Sequence, residues 1–195
     1  PIYVNLYKVV WGFTGTIGTQ KDKKILKKYY NLDTVEIPEN QLNIRKDLPP
    51  VLCQNKDDRN KKILEEIVFF YKKGNPVLVI FENVKEIDEM QALIKKEHKE
   101  INLLIFNGTD MNKSTIENSS GLKGMVTLGT NFCGRGTNIE YANDFPLHVI
   151  ISYGPRNNRS LGQAYGRTGR NGKKGTTRII CTKKDFFKIT KIPKD

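Results

Sequence analysis

Short apolar runs rich in β-branched residues alternate along this chain with longer charged stretches, and the two kinds of segment predict different elements. Residues 34–37, 77–81, 102–106, 123–128, 148–153 and 177–182 read as strands. Several are nearly unbroken hydrophobic runs, such as Val77-Leu78-Val79-Ile80-Phe81, the pattern of strands covered on both faces. Residues 20–30, 56–73, 84–98 and 158–166 read as helices. In the second of these Ile63, Ile67 and Tyr71 recur every four residues, with Leu64 and Phe70 on the same flank. In the third, Ile87, Met90, Leu93 and Ile94 make one apolar stripe. Both stripes have the spacing of core packing. Strands and helices in alternation, joined by short links such as Gly74-Asn75-Pro76, predict an α/β fold with a mostly parallel sheet and helices on both faces. Residues 38–50 hold three prolines and no helical period, and read as an irregular excursion within one domain.

Composition narrows the class further. The 195 residues are 37% hydrophobic and 28% charged, which suits a folded chain with a real core. No apolar run approaches the roughly 18 residues that a membrane-crossing helix needs. No secretory signal is visible, so the expected location is intracellular, cytoplasmic or peripheral at a membrane. Opening at Pro1 without a methionine, the sequence reads as a piece of something longer. A net charge of +12 favours phosphates, nucleic acid or anionic lipid as partners without choosing among them, and lysine-rich solvated faces account for much of it. Cys53, Cys133 and Cys181 are far apart among apolar neighbours and read as reduced core residues. His98 and His148 stand alone in the sequence, so no metal site and no histidine-based catalytic pair is expected.

The densest chemistry lies in Gln163-Ala164-Tyr165-Gly166-Arg167-Thr168-Gly169-Arg170-Asn171-Gly172. Arg167 and Arg170 stand three apart among glycines that keep other side chains away. A guanidinium is a permanently charged fork that matches phosphate oxygens in pairs. The arrangement suits a phosphate sensor or an arginine finger, and equally a basic surface loop. In parallel sheets ligands sit beyond the carboxyl ends of the strands, and the glycine-rich segments are expected at that edge.

Four blocks in order carry a family resemblance: Trp11-Gly12-Phe13-Thr14-Gly15-Thr16, then Val35-Glu36-Ile37-Pro38-Glu39-Asn40, then residues 130–139 (Thr-Asn-Phe-Cys-Gly-Arg-Gly-Thr-Asn-Ile), then residues 163–172. Together they resemble the second RecA-like motor domain of SecA, the preprotein translocase ATPase, whose blocks read approximately GMTGT, IPTN, TNMAGRGTDI and QLRGRSGRQG. Leu6-Tyr7-Lys8, Ile44-Arg45-Lys46-Asp47-Leu48-Pro49 and Asn75-Pro76-Val77-Leu78-Val79 are similar to the same family, so the resemblance spans nearly the whole chain.

The resemblance implies a single RecA-like domain over residues 1–195, half of a two-domain motor that binds ATP between its halves. It implies that Arg167 and Arg170 reach the terminal phosphates and that Gln163 helps position them. By the same resemblance Gly134, Arg135, Gly136 and Asn138 form a loop facing the nucleotide, and Thr14, Gly15 and Thr16 line the inter-domain cleft. The expected partners are the first motor domain, which brings the phosphate loop and the Mg²⁺ that accompanies ATP, together with a preprotein and its channel. The chain has no G-x-x-x-x-G-K-[ST] string and no Asp-Glu pair closing an apolar strand, so hydrolysis by this chain alone is expected to be negligible.

Three departures from the family stand out. Asn138 replaces the usual aspartate, Lys173-Lys174 replaces an acidic-proline turn, and residues 152–160 read closer to ordinary helicases, with Pro155 starting the helix that leads to Arg167. Two alternatives therefore stay open. One is half of a nucleic-acid helicase, whose binding would weaken steeply with salt. The other is a catalytically dead module that binds a partner.

Overall fold

The computed structural model describes residues 6–15, 17–38, 41–106, 118–130, 139–154 and 158–190. Among these residues seven parallel strands form the sheet: β1 (Arg45–Asp47), β2 (Val51–Cys53), β3 (Val77–Phe81), β4 (Asn102–Phe106), β5 (Met125–Thr130), β6 (His148–Ile151) and β7 (Gly175–Thr182). Their order across the sheet is β1-β7-β6-β3-β5-β4, with β2 also paired to β7. β1 and β2 share one border strand's place. Arg45 to Asp47 pair with Gly175 to Thr177, and Val51 to Cys53 pair with Ile180 to Thr182. Pro49 and Pro50 fall in the gap between them, where a residue without an N–H would break a ladder anyway.

Among the described residues, five helices of eight residues or more accompany the sheet: α1 (Gln20–Tyr30), α2 (Lys56–Lys72), α3 (Val84–Glu97), α4 (Asn158–Tyr165) and α5 (Lys183–Thr190). The first three start where a side chain can accept from an exposed backbone N–H, at Thr19, Asn55 and Asn83. Alternation along β3 divides the core. Val77, Val79 and Phe81 join Ile63, Ile67, Ile87, Met90 and Ile94 beneath α2 and α3. Leu78 and Ile80 join Val149, Ile151, Cys181 and Ala164 on the opposite face, where α4 and α5 lie. The apolar stripes read from the sequence are thus core, as expected, and the sheet is covered on both sides.

The sequence expectation fails in three places. Residues 34–37 form no strand, and Val35 and Ile37 are exposed at 86% and 82%. Among the described residues their alternation finds no neighbouring strand to bond. The excursion at 38–50 contains β1, made a strand by the open edge of β7. α5 was not foreseen at all. The described residues of the amino-terminal arm, 6–15 and 17–38, include none that is buried; Trp11 and Phe13 are 81% and 92% exposed, and α1 buries no residue. No helix among the described residues is long and apolar enough to cross a membrane.

His148 is also far from solitary. It is fully buried, its Nδ1 lies 2.7 Å from Thr176 Oγ1, and its ring stacks on Phe70 with centroids 3.7 Å apart. Its Nε2 lies 3.2 Å from Glu66 Oε1, and Arg178 Nη1 donates to Glu66 Oε2 at 2.9 Å. Burial pulls the His148 pKa below its ordinary 6.5, although Glu66 opposes this. Burial would raise Glu66, but His148 and Arg178 outweigh it and hold the carboxyl below 4.5. Both groups therefore bind protons more readily in the unfolded chain, so acid favours unfolding. Stability is full above the ordinary histidine value, declines as pH falls below about 6.5, and declines again below about 4.5. Urea midpoints are expected to drop between pH 7.5 and 5.5, with a smaller drop in His148→Gln; an equal drop in both would refute this origin.

Candidate functional site

The sequence between α4 and β7 folds into a tight loop that carries both arginines. α4 ends at Tyr165, Gly166 N–H donates to the Gly162 carbonyl at 2.9 Å, and Arg167 N–H donates to Ala164 at 3.2 Å. Gly169 then takes a left-handed conformation at φ 75°, and Arg170–Gly172 form a single 3₁₀ turn with Asn171 left-handed at φ 53°. A Cβ on Gly169 would stand 2.6 Å from Arg45 Cβ, so only glycine fits there on both conformation and space. Gly175, which opens β7, is as constrained: a Cβ on it would overlap Thr168 Oγ1.

This loop lies at the amino edge of the sheet, which corrects the expectation that the carboxyl edge holds it. Thr168 Oγ1 donates to the Leu147 carbonyl at 2.8 Å, just ahead of β6, and Gly175 begins β7 beside it. The physical reason is topological. β6 and β7 are parallel neighbours, so the helix joining them must return the chain from the carboxyl end of one to the amino end of the other.

The two arginines differ in setting. Arg167 is buried, at 6% exposure, whereas Arg170 is exposed and its Nε donates back to the Gly166 carbonyl. Gln163 is half-buried on the last turn of α4, so the structure brings Gln163, Arg167 and Arg170 into one short stretch. Thr14 and Gly15 lie exposed on the amino-terminal arm, where a Cβ on Gly15 would meet nothing within 4 Å. Thr16, Gly134, Arg135, Gly136 and Asn138 lie outside the described residues, as does Cys133.

Four residues given no site role from the sequence support the loop. Arg45 on β1 forks onto Asp47, with Nε–Oδ1 at 2.7 Å and Nη2–Oδ2 at 3.1 Å. Its Nη1 donates to the Tyr165 carbonyl at 3.3 Å, and its guanidinium lies 5.1 Å from the Tyr165 ring centre. Asp47 is held below its ordinary pKa by Arg45 and, against burial, by Thr177. Tyr141 supports the opposite flank, where its hydroxyl accepts from Gly169 N–H at 2.8 Å. Lys173 Nζ donates to the Tyr141 carbonyl at 2.9 Å. Among the described residues, no group of three or more His, Cys, Asp and Glu could hold a metal ion.

A family model described as the SecA P-loop domain matches residues 42–150, more than half of the chain. The chain belongs to this SecA family. Relatives in the same family include the protein translocase subunits SecA of Halothermothrix orenii, 32% identical over 188 residues, and of Helicobacter pylori, 30% identical over 188 residues. Each alignment covers 94% of this chain but only 22% and 21% of the relative, so this SecA-family chain spans about a fifth of their length. Among solved structures, S. cerevisiae Dbp5 bound to RNA and ADP BeF3 superposes with a TM-score of 0.66 at 20% identity, covering 88% of this chain and 45% of Dbp5. Domain 2 of the DEAD-box helicase Mss116p bound to an RNA duplex gives 0.57 at 18%, covering 71% of this chain and 54% of that one. These likenesses establish the RecA-like fold of the helicase carboxyl-terminal domain, as the SecA resemblance implied.

Proposed function

We propose that this chain is the second nucleotide-binding domain of an ATP-driven protein-translocating motor, a single RecA-like domain over residues 1–195. It supplies arginines to an ATP site whose phosphate loop and Mg²⁺ belong to a first motor domain. The observation that carries the reading is the arginine loop itself, in a chain of the SecA family. Arg170 is exposed, and the adjoining backbone is glycine-rich and left-handed, which fits a polyphosphate approaching closely. ATP brings the charged γ-phosphoryl group, and the chain's own part is to neutralise charge as that group transfers. Arg170 forks onto phosphate oxygens as the cleft closes, while the more deeply set Arg167 fixes the loop and adds its charge from behind. Gln163 orients the loop from α4. Gly134, Arg135, Gly136 and Asn138 complete the nucleotide-facing wall, and Thr14, Gly15 and Thr16 line the cleft between the two domains. The further partners are a preprotein and its membrane channel.

Steady-state ATP hydrolysis should be measured on the complete protein and on this chain by itself. The expected result is turnover only in the complete protein, stimulated by an unfolded secretory polypeptide with membranes. Stimulation by RNA instead, lost steeply on adding salt, would move the assignment to a nucleic-acid helicase.

A further inference from the structure

Resting on the ATP-site reading above, we propose that Tyr141 is a positioning residue for the arginine loop, and that Lys173 tethers it. Tyr141 stands two residues beyond the 130–139 block in the sequence and meets the arginine loop across 28 positions. Its ring is buried at 6% exposure in the α4-side core with Leu147 and Ala164. A phenylalanine would fill that space equally, so the hydroxyl is the informative part. A buried phenol must find hydrogen-bond partners, and both of these lie in the loop. Gly169 N–H donates to Tyr141 Oη at 2.8 Å, and Thr168 Oγ1 lies 3.2 Å from the same oxygen. Thr168 in turn gives its proton to the Leu147 carbonyl at 2.8 Å. A chain of bonds thus runs from the peptide between the two arginines to the root of β6.

That peptide depends on Tyr141 to take up the Gly169 N–H. Left-handed at Gly169, it has left the helical bonding of α4, and its N–H is buried. Lys173, just past the 3₁₀ turn, closes the ring: its Nζ donates to the Tyr141 carbonyl at 2.9 Å and lies 5.3 Å from the centre of the Tyr141 ring. The lysine pair that departs from the family's acidic-proline turn therefore has a structural use at its first member.

The test is ATP hydrolysis by the complete protein carrying Tyr141→Phe, with kcat and KM measured separately beside Arg170→Ala, and hydrogen exchange followed in the peptide containing Gly169. Tyr141→Phe is expected to lower kcat about tenfold or more with KM for ATP within about twofold, because a misplaced group costs the transition state and not ground-state binding. Exchange at Gly169 is expected to accelerate. Wild-type kcat in Tyr141→Phe, with Arg170→Ala inactive, would overturn the role of Tyr141 and leave the arginine reading intact. Wild-type turnover in both variants would overturn the arginine reading and this inference with it. If Tyr141→Phe fails to fold, Lys173→Met leaves the phenol in place and is expected to lower kcat about threefold at unchanged KM; an unaltered kcat there would overturn the tether.

Discussion

Arg170→Ala is expected to lower ATP turnover by the complete protein about 10³- to 10⁵-fold, the range that arginine fingers contribute in other nucleotide hydrolases. Arg170 is the better of the two arginines for this test because it is exposed while Arg167 is buried at 6%. Truncating Arg167 removes packing as well as charge, so a loss there mixes folding with chemistry. Truncating Arg170 leaves the core untouched, and the thermal melt of the variant should match that of the parent. KM should change far less than kcat, since the interaction matures only as charge develops on the phosphoryl group. Arg170→Lys keeps the charge but loses the fork, and little activity should return. Single-turnover hydrolysis with chemistry rate-limiting is the measurement. Retention of more than about a tenth of the parent rate in Arg170→Ala would remove Arg170 from the catalytic machinery.

Glu86→Ala is expected to destabilise the fold by about 3–5 kcal/mol, read as a fall in the urea midpoint at constant slope. Arg59 and Glu86 are 2% and 5% exposed and meet at 3.0 Å, and the Arg59 Nη1 also donates to the Ser152 carbonyl at 3.3 Å. Three elements converge on that pair: α2, α3 and the end of β6. Removing the carboxylate leaves a buried guanidinium that donates to the neutral oxygens of Ser152 and Asn60. Removing the arginine leaves Glu86 near Lys56, whose Nζ is 3.6 Å away and whose side chain is 59% exposed, so Arg59→Met should cost less. Replacing both with apolar residues should cost least, because the desolvation of two charges disappears with them. Equal losses in all three variants would mean that packing, and not charge, sets the cost.

Which parts of the fold could be read from the sequence follows from how local their causes are. The helices α2 and α3 were legible because their apolar residues recur at helical spacing, Ile63, Ile67 and Tyr71 in one and Ile87, Met90 and Ile94 in the other. β3 was legible because five successive apolar residues can only be covered on both faces. β1 and β2 were not. Three residues beside two prolines carry no alternation worth reading, and they are strands because β7 offers them an edge. The segment 34–37 shows the converse, an alternation with no edge to meet. At the site, the arginines announced themselves within ten residues. Their supports did not: Tyr141 meets Gly169 across 28 positions, and Arg45 meets the Tyr165 carbonyl across 120. The neighbours of His148 were hidden for the same reason. Where the loop lies depends on chain direction through α4, which a motif does not encode.

The divided border made by β1 and β2 bears on how these molecules behave in a crowd. A sheet grows by adding strands at an open margin, and an unbroken margin of bare N–H and C=O groups invites a neighbour to join. Here the margin is two three-residue pieces with Pro49 and Pro50 between them, and prolines have no N–H to offer. A visiting strand would find at most three residues in step before its ladder failed. The same prolines that hid this border from sequence reading thus act as a stop against fibrous growth at one side of the sheet.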